Sequence, residues 1–233
     1  FKSLADKILK KEKQNVKKVN QQLDLFSENT PDESDSAKNT HSRRLENTPH
    51  EYKLVDNEEE MRKLLDFFLT QPIVSLDTET TSTNPIDAEL VGLSFAAEEG
   101  KAFYVPIPDN REKAETIVNI FKPLYESPQI MKVGQNIKYD MEVLMRYGVR
   151  LAAPMFDTMI AHYLLQPEQH HGMDYLAETL LDYETIHIDT LIGPRGKSQK
   201  NMREVPPALV CDYAAEDADV TLRLHNVLKP RLK

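Results

Sequence analysis

Three apolar runs in quick succession constrain this chain most. Residues 73–79, 89–96 and 101–106 are rich in Val, Ile, Leu and Phe and are separated by polar turns. That pattern predicts a meander of three antiparallel strands. Helical periodicity surrounds it. Residues 58–69 carry an acidic first turn and place Met61, Leu64, Leu65 and Phe68 on one face. A helix is expected over 111–125, then a strand over 130–133 ending at Gly134. The next helix, 136–147, sets Ile137, Met141 and Leu144 on one stripe and stops at Gly148. Helices are expected at 156–165 and 173–181, and a basic, glycine-containing loop at 193–203. A last helix starts at Pro206–Pro207, where proline suits a first turn, and runs to about 228. Strands followed by mixed elements predict an α/β layer fold.

Several carboxylates fall where a core is expected. Asp77 and Glu79 lie two apart at the end of Ile73-Val74-Ser75-Leu76, so in a strand they project side by side. Two like charges so close raise one another's pKa unless a cation lies between them. The plainer reading is a strand running out into a solvated turn. Asp140 sits three after Ile137 and four before Leu144, on or beside the apolar stripe; its plainer reading is an edge position reaching water. On the last helix Tyr213, Asp217, Val220 and Leu224 share one face, which turns Asp217 inward with Tyr213 one turn before it. A buried bare carboxylate costs several kcal/mol unless paired or metal-bound, and a salt bridge to an unseen Arg or Lys is the plainer account of Asp217. Taken together, four acids on three core elements suit all-oxygen ligation of Mg²⁺ or Mn²⁺. Two such ions a few ångströms apart are a common device for phosphodiester hydrolysis.

Composition sets the outer bounds. The chain of 233 residues is 40% hydrophobic and 29% charged, a globular balance. No apolar run approaches the ~18 residues a membrane span needs, and no leader-like segment opens the chain, so no membrane partner is expected. Cys211 is alone, which excludes an internal disulfide and fits a reducing cytoplasm. The 29 basic and 38 acidic residues give −9, which at face value argues against nucleic acid. The charge is uneven: residues 1–50 hold ten basic and eight acidic residues (+2), leaving 19 and 30 (−11) for 51–233. From Ser27 to His50 only Leu45 is strongly apolar. Residues 1–50 therefore read as a flexible linker or tail and 51–233 as the folded unit. A start at Phe1 and a stop at Lys233 suggest a piece of a longer polypeptide.

Five segments, in order, resemble the proofreading 3′–5′ exonuclease domain of bacterial DNA polymerase I. They are Asp77-Thr78-Glu79-Thr80, Leu90-Val91-Gly92-Leu93-Ser94-Phe95, Val133-Gly134-Gln135-Asn136-Ile137-Lys138-Tyr139-Asp140, Phe156-Asp157-Thr158-Met159 and Tyr213-Ala214-Ala215-Glu216-Asp217-Ala218-Asp219. The resemblance covers about 51–233. It implies a ribonuclease H-like fold of the DEDD exonucleases, a mixed sheet with flanking helices. It also implies that Asp77, Glu79, Asp140 and Asp217 ligate two Mg²⁺ or Mn²⁺ ions, and that Tyr213 orients the attacking water. Thr80, Gln135 and Asn136 fall where the family touches substrate, though Asn136 reads equally well as a helix cap. Thr83 and Ile188 stand near positions where relatives carry apolar contacts for the terminal base. The implied substrate is a single-stranded DNA 3′ end. The implied partners are a 5′-nuclease domain and a polymerase domain of the same parent chain.

Smaller signals complete the reading. Arg195, Lys197, Lys200 and Arg203 make 193–203 the densest basic stretch of the folded unit, able to track a phosphate backbone or simply to be solvated. Asp157 is assigned a structural hydrogen-bonding role, and Glu216 and Asp219 a solvated one. In the tail, Gln22-Leu23-Asp24-Leu25-Phe26 resembles the peptide by which bacterial replication proteins dock on the sliding clamp. Leu23, Leu25 and Phe26 are apolar anchors in a polar segment; chance or docking on a neighbouring domain are the alternatives. The competing functions are an RNA-trimming exonuclease of the ribonuclease D type and a catalytically silent domain that binds single strands or scaffolds its parent. On the leading reading the acid surplus loses its force. About two divalent cations would move the folded unit only from −11 to near −7, so the local ions rather than the surface would hold phosphate.

Overall fold

The computed structural model describes residues 43–194, 196 and 199–232. One compact unit spans His41–Lys233, and described structure begins at Arg43, ahead of the boundary expected at 51. Arg43 forms a parallel bridge with Tyr183, and Arg44 pairs with Glu184.

A six-stranded mixed sheet organises the unit, in the order β1-β4-β3-β2-β5-β6. The expected meander is its centre: β2 (Ile73–Thr80), β3 (Leu90–Glu98) and β4 (Lys101–Pro106) pair antiparallel. On one side β1 (Glu51–Leu54) joins β4 in parallel. On the other, β5 (Met131–Gly134) and β6 (Met155–Asp157) add parallel to β2. Strands β1 and β6 escaped the sequence reading because four and three residues are too few for a visible alternation.

The helices form two layers. Helix α1 (Glu58–Phe68) is capped by Asn57, which accepts from Glu60 N. Helix α2 (Arg111–Ile120) is followed by a separate short α3 (Lys122–Tyr125). The single helix expected over 111–125 is thus broken at Phe121, with Pro123 in the first turn of α3. After β5 comes α4 (Ile137–Met145), and Gly148 takes φ +75° beyond it. Helix α5 (Thr158–Leu165) is shorter than expected because its first residues are spent in β6. Helix α6 (Met173–Leu176) leads into a π-helical turn, Ala177–Leu181. Helix α7 (Asp189–Ile192) is a single turn, and α8 (Pro207–Leu228) begins and ends where expected.

Alternation along the strands assigns the layers. Val74, Leu76, Leu93 and Phe95 join the main core with Phe68, Phe121, Leu124, Val143 and Leu144, and the Phe95 and Phe121 rings stack at 5.0 Å. The opposite face receives α8. Ala96 and Ala102 of the sheet meet Ala215 and Ala218 of the helix. With alanine methyl groups meeting at the centre of this contact, helix and sheet approach closely enough for the Ser75 hydroxyl to donate to Ala218 O at 2.7 Å. That close contact brings the next turn of α8 to the end of β2. Gly92 is the second local requirement: a Cβ there would lie 2.1 Å from the Tyr104 ring, directly across from Glu79.

Candidate active site

The site forms where β2 ends. Ser75, Asp77 and Glu79 share the face turned to α8, and Thr78 faces the other way. The pairing register shifts between Glu79 and Thr80, and this bulge turns the chain into the 81–89 loop. Asp77 and Glu79 meet Asp217 of α8: one carboxylate oxygen from each lies within 4.8 Å of the other two. Tyr213, one turn earlier on α8, sets its phenol beside Asp217. Asp140 approaches from α4, on the Thr78 side of the strand, and its Oδ1 accepts from the Thr78 hydroxyl at 2.6 Å. It lies close enough to repel Asp77 and Glu79. The three-element convergence that spacing could only suggest is therefore present, with Asp140 outside the triad but close to its Asp77.

Electrostatics sets this cluster apart from a structural one. Burial pushes the Asp77 carboxyl up to about 6. Burial, and then the neighbouring Asp77 charge, hold Glu79, Asp140 and Asp217 well above the usual carboxylate range. No Arg or Lys relieves them, so the salt bridge offered as the plainer account of Asp217 is absent among the described residues. The Glu79 Oε1 atom is buried without a hydrogen-bond partner. An orphaned carboxylate oxygen facing two other carboxylates fits a divalent cation, and hard oxygen donors suit Mg²⁺ or Mn²⁺. Burial first, and then the Asp217, Glu79 and Asp77 charges, push the Tyr213 phenol upward, so it keeps its proton.

A groove of about 580 Å³ opens onto this cluster. Thr80 and Thr83 line it with Thr81 and Ser82, as do Asn136, Tyr139 and Ile188. The Thr80 hydroxyl bonds the Tyr139 hydroxyl and donates to Ser82 O, which ties strand, loop and α4 together. Asn136 takes φ +61° at the start of α4 and makes no side-chain cap, so its amide is left to the groove. Capping falls instead to Asp157, whose carboxylate accepts from Ile137 N at 2.9 Å and Met159 N at 2.9 Å. This is the structural role expected for it.

Three expectations change. Gln135 turns away from the groove: its amide donates to His171 O at 2.7 Å and accepts from Thr158. Glu216 and Asp219, expected in solvent, are both fully buried. The basic loop is not uniform either, since Arg203 spans inward to Ile107 O and Leu90 O and pairs with Asp109. Arg195 and Lys197 lie outside the described residues, as do Gln22, Leu23, Leu25 and Phe26. The sequence reading named Lys200 but missed its neighbours on the far wall of the groove, Ile192, Gln199, Asn201 and Met202. Its signal was a capping box, in which Asn201 accepts from Arg203 N and Glu204 accepts from Asn201 N.

A model of the 3′–5′ exonuclease family matches residues 52–233. DNA polymerase I of Pseudomonas aeruginosa is 38% identical over 171 residues, 69% of this chain and 18% of that protein. DNA polymerase I of Borreliella burgdorferi is 30% identical over the whole chain, which covers 25% of that protein. The chain thus spans about a sixth to a quarter of the DNA polymerase I relatives it matches. A ribonuclease D of Shewanella is 30% identical over 81% of this chain and 45% of that protein. Among solved structures, Brucella melitensis NrnC superposes with a TM-score of 0.60 at 26% identity, covering 82% of this chain and 81% of that one. Escherichia coli RNase D shares the fold, with a TM-score of 0.60 at 19% identity. The six-stranded mixed sheet is that of the ribonuclease H-like DEDD exonucleases, and the chain belongs to the 3′–5′ exonuclease domain family of DNA polymerase I-type enzymes.

Proposed function

We propose that the domain hydrolyses the 3′-terminal phosphodiester of single-stranded or frayed DNA in a divalent-metal-dependent reaction, proofreading for a polymerase on the same parent chain. One observation carries this reading: Asp77, Glu79 and Asp217 converge with an orphaned Glu79 oxygen at the floor of an open groove, beside Tyr213. Asp77, Glu79 and Asp217 would hold one Mg²⁺ or Mn²⁺ ion, and Asp77 with Asp140 a second. When bound there, such ions activate water and stabilise charge on the attacking and leaving oxygens. Tyr213 keeps its phenolic proton and orients the attacking water by hydrogen bonding. Thr80, Thr83, Asn136 and Ile188 shape the wall against which the terminal nucleotide rests. A form of Brucella melitensis NrnC, 25% identical to this chain, carries bound Mg²⁺, which supports the choice of ion.

The direct test is a 5′-labelled oligonucleotide assay with Mg²⁺ or chelator. The expected result is stepwise 3′ shortening in Mg²⁺ alone, abolished by Asp140→Ala with the fold retained. Full activity in that variant would overturn the assignment. The ribonuclease D-like relative makes RNA trimming the second reading; matched DNA and RNA oligonucleotides separate the two. A silent scaffold would degrade neither.

We further infer that residues 1–50 link this domain to a 5′-nuclease domain in a cytoplasmic, nucleoid-associated enzyme, and that residues 22–26 dock on a sliding clamp. A 1–50 peptide with no affinity for the cognate clamp would remove the docking step. No helix among the described residues is long and apolar enough to cross a membrane.

A further inference from the structure

The groove has an uneven charge pattern. Asp77, Glu79 and Asp217 form its floor, and among the described residues that line it only Lys200 is basic. Lys200 is exposed and forms no ion pair with any described residue, whereas Arg203 is committed to Leu90 O, Ile107 O and Asp109. The wall that carries Lys200 is anchored. Lys200 N donates to Ile192 O at 2.8 Å, and the neighbouring Asn201 donates through Nδ2 to Thr81 O at 3.0 Å while capping Met202–Glu204. A flexible basic side chain therefore rises from a fixed edge of an otherwise acidic groove.

We propose that Lys200 binds a phosphate of the substrate strand upstream of the scissile bond, which makes it a substrate-binding residue that selects for strand length. The proposal rests on the exonuclease reading above. The scissile phosphate is matched by cations held on the carboxylates. The next phosphate along the strand lies beyond that cluster and enters a groove whose other fixed charges repel it. Lys200 is the described side chain able to offset that repulsion.

The test uses the protein with Mg²⁺ and two DNA substrates, a dinucleotide whose one phosphodiester is the scissile one and an eight-nucleotide strand, across a range of salt. On the longer strand Lys200→Ala is expected to raise KM about fivefold with kcat nearly unchanged, and to flatten the salt dependence of kcat/KM by about 0.7 log units per decade of salt, one phosphate contact for a single strand. Lys200→Arg should restore both. On the dinucleotide Lys200→Ala should match the wild type. An unchanged KM and salt slope on the longer strand overturns the proposal, and so does an equal penalty on the dinucleotide, which would put the lysine on the scissile phosphate. A wild-type protein inert toward every oligonucleotide breaks the exonuclease reading instead. In that case anisotropy of a labelled single strand still decides the lysine's role, since equal affinity and salt slope for wild type and Lys200→Ala would remove it.

Discussion

Helix α8 carries three buried carboxylates within four residues, and they have opposite fates. Asp219 is saturated with donors: the Tyr52 hydroxyl at 2.8 Å, Gly100 N at 2.8 Å and the Arg223 guanidinium at 2.6 Å. Glu216 accepts from the Tyr183 hydroxyl and from Ile186 N, each at 2.6 Å. Asp217, between them in sequence, has the Tyr213 phenol beside it and otherwise faces the carboxylates of β2. Burial is therefore shared by structural acids and by the acid of the candidate site, and does not tell them apart. What separates them is whether the chain itself supplies the compensating protons and charge. Where it does, the acid joins segments distant in sequence. Where it does not, the acids keep their mutual repulsion.

The sharpest way to break this comparison is to neutralise each acid and read activity against stability. Asp217→Asn should lower hydrolysis by at least about 10²–10³-fold, the range for removing one preorganised electrostatic group, while the metal-free protein remains as stable as the wild type or gains from relief of repulsion. Asp219→Ala should do the reverse. It strands Arg223, the Tyr52 hydroxyl and Gly100 N–H, and should cost about 3–5 kcal/mol, read by urea unfolding, with activity per folded molecule within about tenfold of wild type. An Asp217→Asn protein that unfolds as readily as Asp219→Ala would erase the distinction.

The sequence made the candidate-site half of this contrast legible and hid the structural half. Asp77 and Glu79 stood out through period-two alternation, and Asp217 through its place on a stripe with Val220 and Leu224. Those are local patterns, and local patterns survive in one dimension. Glu216 and Asp219 looked solvated because they lie off that stripe. Alpha8 is covered on both sides, by the sheet against Ala215 and Ala218 and by the Tyr183 segment on another face, so its single-stripe reading failed. Their partners lie at Tyr52, Gly100, Tyr183 and Ile186, separations no periodicity encodes. Beta1 and β6 were lost for the same reason, since short parallel strands exist by virtue of their neighbours. Asn136 and Gln135 show a finer limit: adjacent residues in one turn end with one amide at the groove and the other tied to Thr158 and His171.

A smaller effect should come from adding divalent cations. Raised carboxylate pKa values mean that the metal-free folded state binds protons the unfolded chain has already released. Stability without metal therefore rises as pH falls, and is lost as pH climbs from about 4, the unfolded carboxylate value, through about 6, where Asp77 titrates. Divalent ions should reverse that trend, because they bind the ionised acids of the folded state. At a hundredfold excess over Kd they should add about 2.7 kcal/mol. Thermal melts at pH 5 and 7.5, with and without Mg²⁺, give both signs. In Asp217→Asn the Mg²⁺ shift should fall while the Asp219 network stays intact. A metal-free protein more stable at pH 7.5 than at pH 5 would show that these acids are compensated after all.

The smallest expected effect separates the two structural acids from each other. Two of the donors on Asp219, the Gly100 N–H and the Arg223 guanidinium, cannot accept, and Arg223 reaches both carboxylate oxygens, so the amide of Asp219→Asn would face at least one clashing N–H even with the Tyr52 hydroxyl turned to accept. Glu216 is different, because the Tyr183 hydroxyl can rotate and accept. In Glu216→Gln the carbonyl oxygen can keep Ile186 N–H while the amide donates to Tyr183. The substitution should cost only about 1 kcal/mol, near the net worth of one neutral hydrogen bond, and a shift of that size in the urea midpoint is readable at constant slope. Removing the charge beside Asp217 also takes away one of the repulsions that raise it, so Mg²⁺ should bind Glu216→Gln at least as tightly as wild type at neutral pH. A Glu216→Gln protein as unstable as Asp219→Ala would mean that charge, rather than acceptor geometry, holds the Tyr183–Ile186 segment to α8.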